Sequence, residues 1–439
     1  MHKKFTASVA MLLMLALFAA SVTADWQGTA SIAKPDAAAL NSTDEILKVV
    51  SRLRSLDIKH NVKSSFKTKD EIEEAVIRDL DENTPLEDFE ASQKTLLKLG
   101  LIARNFRLRD YVVRLLREQV AGFYEPKTKE FYLAAWLPIA DQKRVIAHEL
   151  VHALQDQHFD LRRLEGWPKG DSDAELAAHA LVEGEATLVM IEYDFEQQGL
   201  RLDMNKISAL TDNMIDQEGD TDSKSYPVLA NAPKVLKENL QFPYLYGAGF
   251  VGAVLRNGTW KALDKTYISL PDSTEQIMHP QRFLVRDRPV KIDIPDLVPT
   301  LGPSWKKADA DVNGEFGYFV ALSEFIPKRT ARVAAEGWGG DRYVLYENKT
   351  TGGLVLIQFT TWDTERDAEE FFEVYAARTE KRYKLGKQSE SRSQLRVYDT
   401  NEGLAAIELR GKDVLLIEGV QKRDQLARVM ERAWQSTKK

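Results

Sequence analysis

Helical and strand patterns are segregated along this chain, and that segregation limits its fold more than any other feature. From about residue 41 to 119 apolar residues recur with helical period, as in Ser42-Thr43-Asp44-Glu45 leading into ILKVVSRLRSL and later in TLLKLGLIARNF. Helical patterning returns over about 141–200 and 232–260. Strand-like runs gather near the end: DRYVLYE at 341–347, GLVLIQFTTW at 353–362, QLRVYDT at 394–400, LAAIELR at 404–410 and KDVLLIEGV at 412–420, with helical patterns at 364–384 and 422–436. Helices first and strands later describe an α+β protein, not a repeating βαβ one.

The expected organisation is a helical region over 25–118, a mainly helical domain over 119–285, a linker at 286–304 and a smaller α+β domain over 305–439. The linker segment, RDRPVKIDIPDLVPTLGPS, carries four prolines and little periodicity. A short β-hairpin is expected within QVAGFYEPKTKEFYLAAW at 119–136, and loops at 166–175 and 212–226. A length of 439 residues suits two or three domains, each able to bury a core.

Composition narrows the chemistry. The chain has no cysteine, so disulfides, thiolate nucleophiles and Cys-bound zinc are excluded, and any metal must be held by His, Asp or Glu. A net charge of −7, from 60 basic and 67 acidic residues, argues against a nucleic-acid partner, because phosphate binding needs a strong basic surplus. The N-terminus places Lys3 and Lys4 before an apolar run from Val9 to Ala20 and small residues ending at Ala24. This is the layout of a cleaved secretory signal over residues 1–24, and the run is shorter than the roughly 20 apolar residues of a membrane span. The expectation is an exported protein, periplasmic or extracellular, with no stable membrane insertion after cleavage.

The residues that carry chemistry lie in Val145-Ile146-Ala147-His148-Glu149-Leu150-Val151-His152-Ala153-Leu154, an HExxH motif within a helical pattern. Four residues advance a helix by about one turn, so His148 and His152 share a face and can hold one divalent ion. Glu149 lies beside that face, placed to take a proton from a metal-bound water and to return it to a leaving amine. Zinc suits imidazole and carboxylate ligands with one position left open. A third ligand is sought downstream. His158 falls where a metzincin would place one, but Gln155 stands where that pattern needs Gly. Glu183 and Glu185 both lie in the helical run from Glu175 to Thr187; Glu183 shares a face with Glu175, His179 and Thr187, whereas Glu185 points away. Glu183 is preferred, with His158 and Glu185 as alternatives.

An HExxH helix followed by Glu183-Gly184-Glu185-Ala186, similar to the EGxA of zinc aminopeptidases, resembles the gluzincin metallopeptidases. The stretch also resembles bacterial exported proteins carrying HELxHALQDQHFDL, over roughly residues 119–285. The resemblance implies a zincin-like domain, a Zn2+ cofactor, a peptide or protein substrate, and an edge strand in GFYEPKTKEFYL that pairs with extended substrate. It also implies a Tyr or His donor to the oxyanion, for which Tyr246 and His279 are the nominees. Thr187 stands where the thermolysin-like pattern has an acidic residue orienting a ligand His, so Asp156 and His179 are the candidates for that task. Asp272 and Glu275 are spaced as a capping box before His279, the Gly337–Gly340 cluster reads as a tight turn, and Trp362-Asp363 as the cap of a helix. Two other readings stay open: a non-catalytic exported binding protein with a structural or weak metal, and residues 25–118 as a pro-segment.

Overall fold

A computed structural model of the chain describes residues 42–135, 139–164, 170–216, 226–256, 258–385 and 390–439. The expected signal segment at 1–24 lies outside the described residues, as do parts of the loops expected at 166–175 and 212–226. The protein is α+β, and among the described residues no helix is long and apolar enough to cross a membrane.

The first described helix, α1 (Thr43–Arg54), buries Ile46, Leu47 and Val50 on one face and stops where Ser55 turns left-handed at φ 60°. Each such buried side chain contributes about 1.5–3 kcal/mol. Next comes a strand, β1 (Lys63–Lys67), in a region expected to be wholly helical. Its sequence, KSSFK, has no apolar alternation, and it is a strand because it has a neighbour to pair with. Helices α2 (Lys69–Asn83), α3 (Leu86–Leu99) and α4 (Leu108–Gln119) lead into the expected hairpin, β2 (Gly122–Glu125) and β3 (Glu130–Ala134). β3 pairs antiparallel with β2 and parallel with β1, giving a three-stranded sheet in the order β1-β3-β2, so β2 lies at one edge.

Two long helices form the centre. α5 (Ile139–Phe159) carries the HExxH motif; Val145 to Leu154 are all buried, packed against α1 and the hairpin. It ends where Asp160 adopts φ 52° and Asp156 Oδ1 accepts the Leu161 N–H. α6 (Ser172–Gln197) starts on an Asp171 cap that accepts from Ala174 N–H, and is buried continuously from Asp173 to Ile191. A helix buried on every face must be covered all round. It is covered by α1 and α5, by α8 (Lys234–Arg256), on which α7 (Ile207–Asp216) packs in turn, and by helices later in the chain. α8 is continuous through Pro243, so the Phe242–Val251 segment lies inside a helix, within the helical pattern expected over 232–260.

α6 and α8 touch backbone to backbone. A Cβ placed on Gly184 would sit 2.0 Å from the Gly247 carbonyl carbon, and one on Gly247 would sit 2.1 Å from the Ala180 carbonyl oxygen. Only glycine fits at either position, because nothing in a helix backbone can yield to a methyl group.

Beyond α9 (Trp260–Thr266) and α10 (Thr274–Met278), the chain builds a seven-stranded antiparallel sheet in the order β5-β6-β7-β11-β10-β9-β8. Its strands are β5 (Trp305–Asp311), β6 (Trp338–Asn348), β7 (Leu354–Trp362), β8 (Glu390–Arg392), β9 (Leu395–Thr400), β10 (Gly403–Arg410) and β11 (Asp413–Val420). Alternation along the strands divides two cores. Leu345, Leu356 and Leu416 face a core that holds Phe371 and Phe372 of α13 (Glu365–Tyr383) and continues into the helical body through α11 (Gly314–Ser323) and α12 (Lys328–Ala335). Val344, Val355 and Ile417 face the other, covered by α14 (Arg423–Ala433).

The 286–304 segment, expected as a linker, runs over that second face. Ile292, Leu297 and Leu301 are buried in its core, Ile292–Asp293 form β4, and β4 pairs with β12 (Thr437–Lys438). α3 is fastened to the sheet and to α13 as well: Thr95 donates to Asp309 of β5, Lys98 pairs with Glu402 in the β9–β10 turn, and Arg378 of α13 donates to the Leu99 carbonyl. The Asp272/Glu275 cap expected at 271–280 is Ser273, whose side chain accepts from Gln276 N–H, and the cap before α13 is Thr364, not Asp363.

Candidate metal centre

His148 and His152 project from one face of α5 toward Glu183 on α6. The two Nε2 atoms are 2.9 Å apart, and Glu183 Oε2 lies 3.2 Å from His148 Nε2 and 3.3 Å from His152 Nε2. Ligands about 2.0–2.1 Å from a tetrahedral zinc stand about 3.3 Å from one another, so the three atoms fit such an ion. They form the one His/Asp/Glu group with metal-holding spacing among the described residues. Glu183 Oε1 has no hydrogen-bond partner there, which leaves this donor atom available as well.

Burial sets the electrostatics. It pushes the His148 ring down to about 4, against the pull of Glu183, so this imidazole is a neutral donor at pH 7. Burial would lower His152 too, but Glu183 and Glu149 outweigh it and raise that ring to about 9, so a metal would have to displace its Nε2 proton. The same burial would raise Glu183, but the His152 charge and the two imidazole hydrogen bonds hold the carboxylate at about 2. Neutral imidazole and ionised carboxylate are the forms a metal binds. Glu149 is pushed up to about 7, chiefly by burial.

Glu149 stays out of the ligand set. Its Oε2 accepts the Tyr124 backbone N–H at 2.6 Å, and its Oε1 has no partner among the described residues. Tyr124 belongs to β2 and grips α5 twice, because its hydroxyl also donates to Asp156 Oδ2 at 3.0 Å. The edge strand and the HExxH helix are thereby locked in one register. Asp156 is used by this contact and by the helix end, and does not reach a ligand histidine.

The residue that orients His152 is Gln155. Its Oε1 lies 2.8 Å from His152 Nδ1, and its Nε2 donates to the Val182 carbonyl and to the Tyr267 hydroxyl, both at 3.0 Å. A carbonyl only accepts, so Val182 fixes which end of the amide is Nε2. Nδ1 of His152 is then the N–H that faces Gln155, and Nε2 is the nitrogen turned to the site, where a metal would displace its proton. Sequence reasoning met Gln155 only as a missing glycine; the signal available was its place one turn beyond His152. His179 is buried one turn before Glu183, with Nε2 unpartnered among the described residues.

The alternative ligands lie elsewhere. His158 Nε2 faces the Asp57 carbonyl at 2.8 Å near the surface, and Glu185 is buried against Arg54 and Tyr267. Of the two oxyanion nominees, His279 Nε2 lies 2.8 Å from Glu315, and Tyr246 stacks on Phe242 and meets Phe316 edge-on. The tyrosine beside the triad is Tyr244. It is buried, its ring is 6.4 Å from that of His148, and burial followed by the charges of Glu183 and Glu149 raises its hydroxyl well above the usual range.

A family model described as a domain of unknown function (DUF8575) matches residues 301–430. That match covers the sheet and α13, not the His148–His152–Glu183 group. No curated protein and no solved structure matches the chain significantly.

Proposed function

We propose that the protein is an exported zinc metallopeptidase with a zincin-like, gluzincin-type site, in which His148, His152 and Glu183 hold the metal and Glu149 is the general base. The observation that carries this reading is the position of Glu149: it is buried next to three convergent ligand atoms, with one oxygen held by β2 and the other unpartnered among the described residues. A purely structural site has no use for a carboxylate kept ready in this way.

When bound, zinc polarises the scissile carbonyl and lowers the pKa of water to about 7. The chain's own groups do the remaining work. Glu149 Oε1 takes the proton of the attacking water and passes it to the leaving amine. Burial disfavours its ionised form and so favours uptake of that proton. Tyr244, buried with its ring 6.4 Å from that of His148, serves the developing oxyanion. β2, at the sheet edge next to Glu149, receives the substrate backbone as an added strand.

A second reading, a binding protein with a structural metal, draws on the burial of the triad, where His148 and Glu183 are at most 1% exposed. One experiment separates the two. Zinc content and cleavage of casein or a fluorogenic peptide are measured for the mature chain, Glu149→Gln and Glu183→Ala. A peptidase binds about one zinc and cleaves, Glu149→Gln keeps zinc and loses turnover, and Glu183→Ala loses zinc. Zinc binding without Glu149-dependent cleavage of any substrate selects the binding protein.

A further inference from the structure

Behind His152 a line of buried hydrogen bonds runs out of the metal centre and into the first helix of the described chain. Gln155 Nε2 donates to the Tyr267 hydroxyl at 3.0 Å, and that hydroxyl donates to Glu185 Oε2 at 2.6 Å. Glu185 Oε1 accepts from Arg54 Nε at the end of α1, and Arg54 Nη2 reaches Asp264 Oδ1 at 2.6 Å. Arg54 and Glu185 are both fully buried. The guanidinium also lies 4.6 Å from the centre of the Trp260 ring and 6.0 Å from that of Phe159, the last residue of α5, and Phe159 stacks on Tyr267 at 4.0 Å. Burying a cation this deeply is costly unless its partners are fixed.

Each donor and acceptor in the line follows from the one before. Arg54 offers only donors, so Glu185 serves it as an acceptor. The Tyr267 proton is then committed to Glu185, and its oxygen can only accept from Gln155. Both Gln155 N–H bonds are taken, so its carbonyl oxygen faces His152 Nδ1–H and leaves Nε2 for the metal. We propose that Arg54 is a positioning residue for the metal centre, acting on His152 through Glu185, Tyr267 and Gln155. This rests on reading His148, His152 and Glu183 as metal ligands. It makes α1, which lies inside the region 25–118, a working part of the site and not a removable pro-segment.

The test is a double-mutant cycle on zinc affinity, measured on the full mature chain by competition with a chromophoric chelator. Thermal melts confirm folding, and the visible spectrum of the Co2+-substituted protein reports ligand geometry. Gln155→Leu is expected to weaken zinc binding about 10–100-fold, the usual cost of losing an outer partner of a ligand histidine. Tyr267→Phe keeps the ring stack and cuts the line in the middle; Val182 still anchors the amide, so a loss of about 3–10-fold is expected, with an altered Co2+ spectrum. Arg54→Met is expected to do the same or to unfold the protein, and Arg54→Lys to recover part of the loss. If the line acts through Gln155, adding Tyr267→Phe to Gln155→Leu weakens zinc no further. Independent, multiplying losses would overturn the proposal, as would full zinc affinity and an unchanged spectrum in Tyr267→Phe. A wild-type chain that binds neither ion would instead overturn the reading of the triad.

Discussion

The backbone-to-backbone approach of Gly184 to Gly247 supplies a sharp stability prediction. In Gly184→Ala the new methyl would lie 2.0 Å from the Gly247 carbonyl carbon and 2.4 Å from its oxygen, whereas ordinary contact is about 3.5 Å. The shortfall is about 1.5 Å. It falls on backbone, so no rotamer change relieves it, and α6 and α8 must move apart by about that much along their crossing. Alanine is a better helix former than glycine by about 1 kcal/mol, which favours the variant. Overpacking a tight core costs about 1–3 kcal/mol even where side chains can adjust, and here they cannot. With only backbone to give way, the cost reaches or exceeds the upper end of that range, about 3 kcal/mol, and after the propensity gain a net loss of at least about 2 kcal/mol follows. Glu183 is the neighbouring residue, so the same shift carries its carboxylate away from the histidines. Ligand distances tolerate only about 0.2 Å, so zinc affinity should fall by an order of magnitude or more. Urea unfolding gives the first quantity and chelator competition the second. Gly184→Ala with wild-type stability and wild-type zinc affinity would refute the idea that this crossing sets the Glu183 position.

Three other outcomes are expected. Tyr244→Phe should cut kcat about 100-fold with zinc content unchanged, the usual cost of one oxyanion donor, while Tyr246→Phe leaves kcat alone; equal effects in a peptide-cleavage assay would remove Tyr244 from the site. Zinc at a thousand times its Kd should stabilise the fold by about 4 kcal/mol, a gain that EDTA reverses; a Tm indifferent to both would count against the metal. Glu275 is held up at about 9 by burial and by Glu315, so the native state keeps a proton there that the unfolded chain releases above about 4.5. Stability should therefore decline as pH rises from about 4.5 to 9, and Glu275→Gln should flatten the decline and be the more stable protein at pH 8 by at least about 1 kcal/mol, a difference absent at pH 4. Parallel denaturation curves for the two proteins across that range would contradict it.

The sequence is most informative where one period governs both structure and chemistry. His148 and His152 sit at i and i+4 of a buried helix, and the helical phase that separates Glu183 from Glu185 is the phase the structure shows. β7, β9, β10 and β11 lie within a residue or two of the alternating runs that announce them. What the sequence withholds depends on partners far along the chain. KSSFK has no pattern of its own and becomes β1 only beside β3. Tyr244 and Tyr246 face different neighbours because they lie two residues apart on α8, which runs unbroken through Pro243 and turns them to nearly opposite sides. Gln155 lacks the charge by which an orienting residue is usually recognised, and its role becomes visible only with Val182 and Tyr267 in place. The 286–304 prolines signal irregular backbone, yet say nothing of the sheet face that the segment covers.

The fastening of α3 to the far end of the chain has a consequence for the order in which the protein folds. Lys98 and Glu402 are 304 residues apart, whereas His148 and Glu183 are separated by 35. Closing the longer loop costs about 2 kcal/mol more chain entropy, and it cannot begin until β10 exists. Pulsed hydrogen exchange during refolding should therefore find amides of α5 and α6 protected before those of α3. A helix that leaves the ribosome ahead of His148, His152 and Glu183 thus gains its Glu402 clamp only when nearly the whole chain is in place.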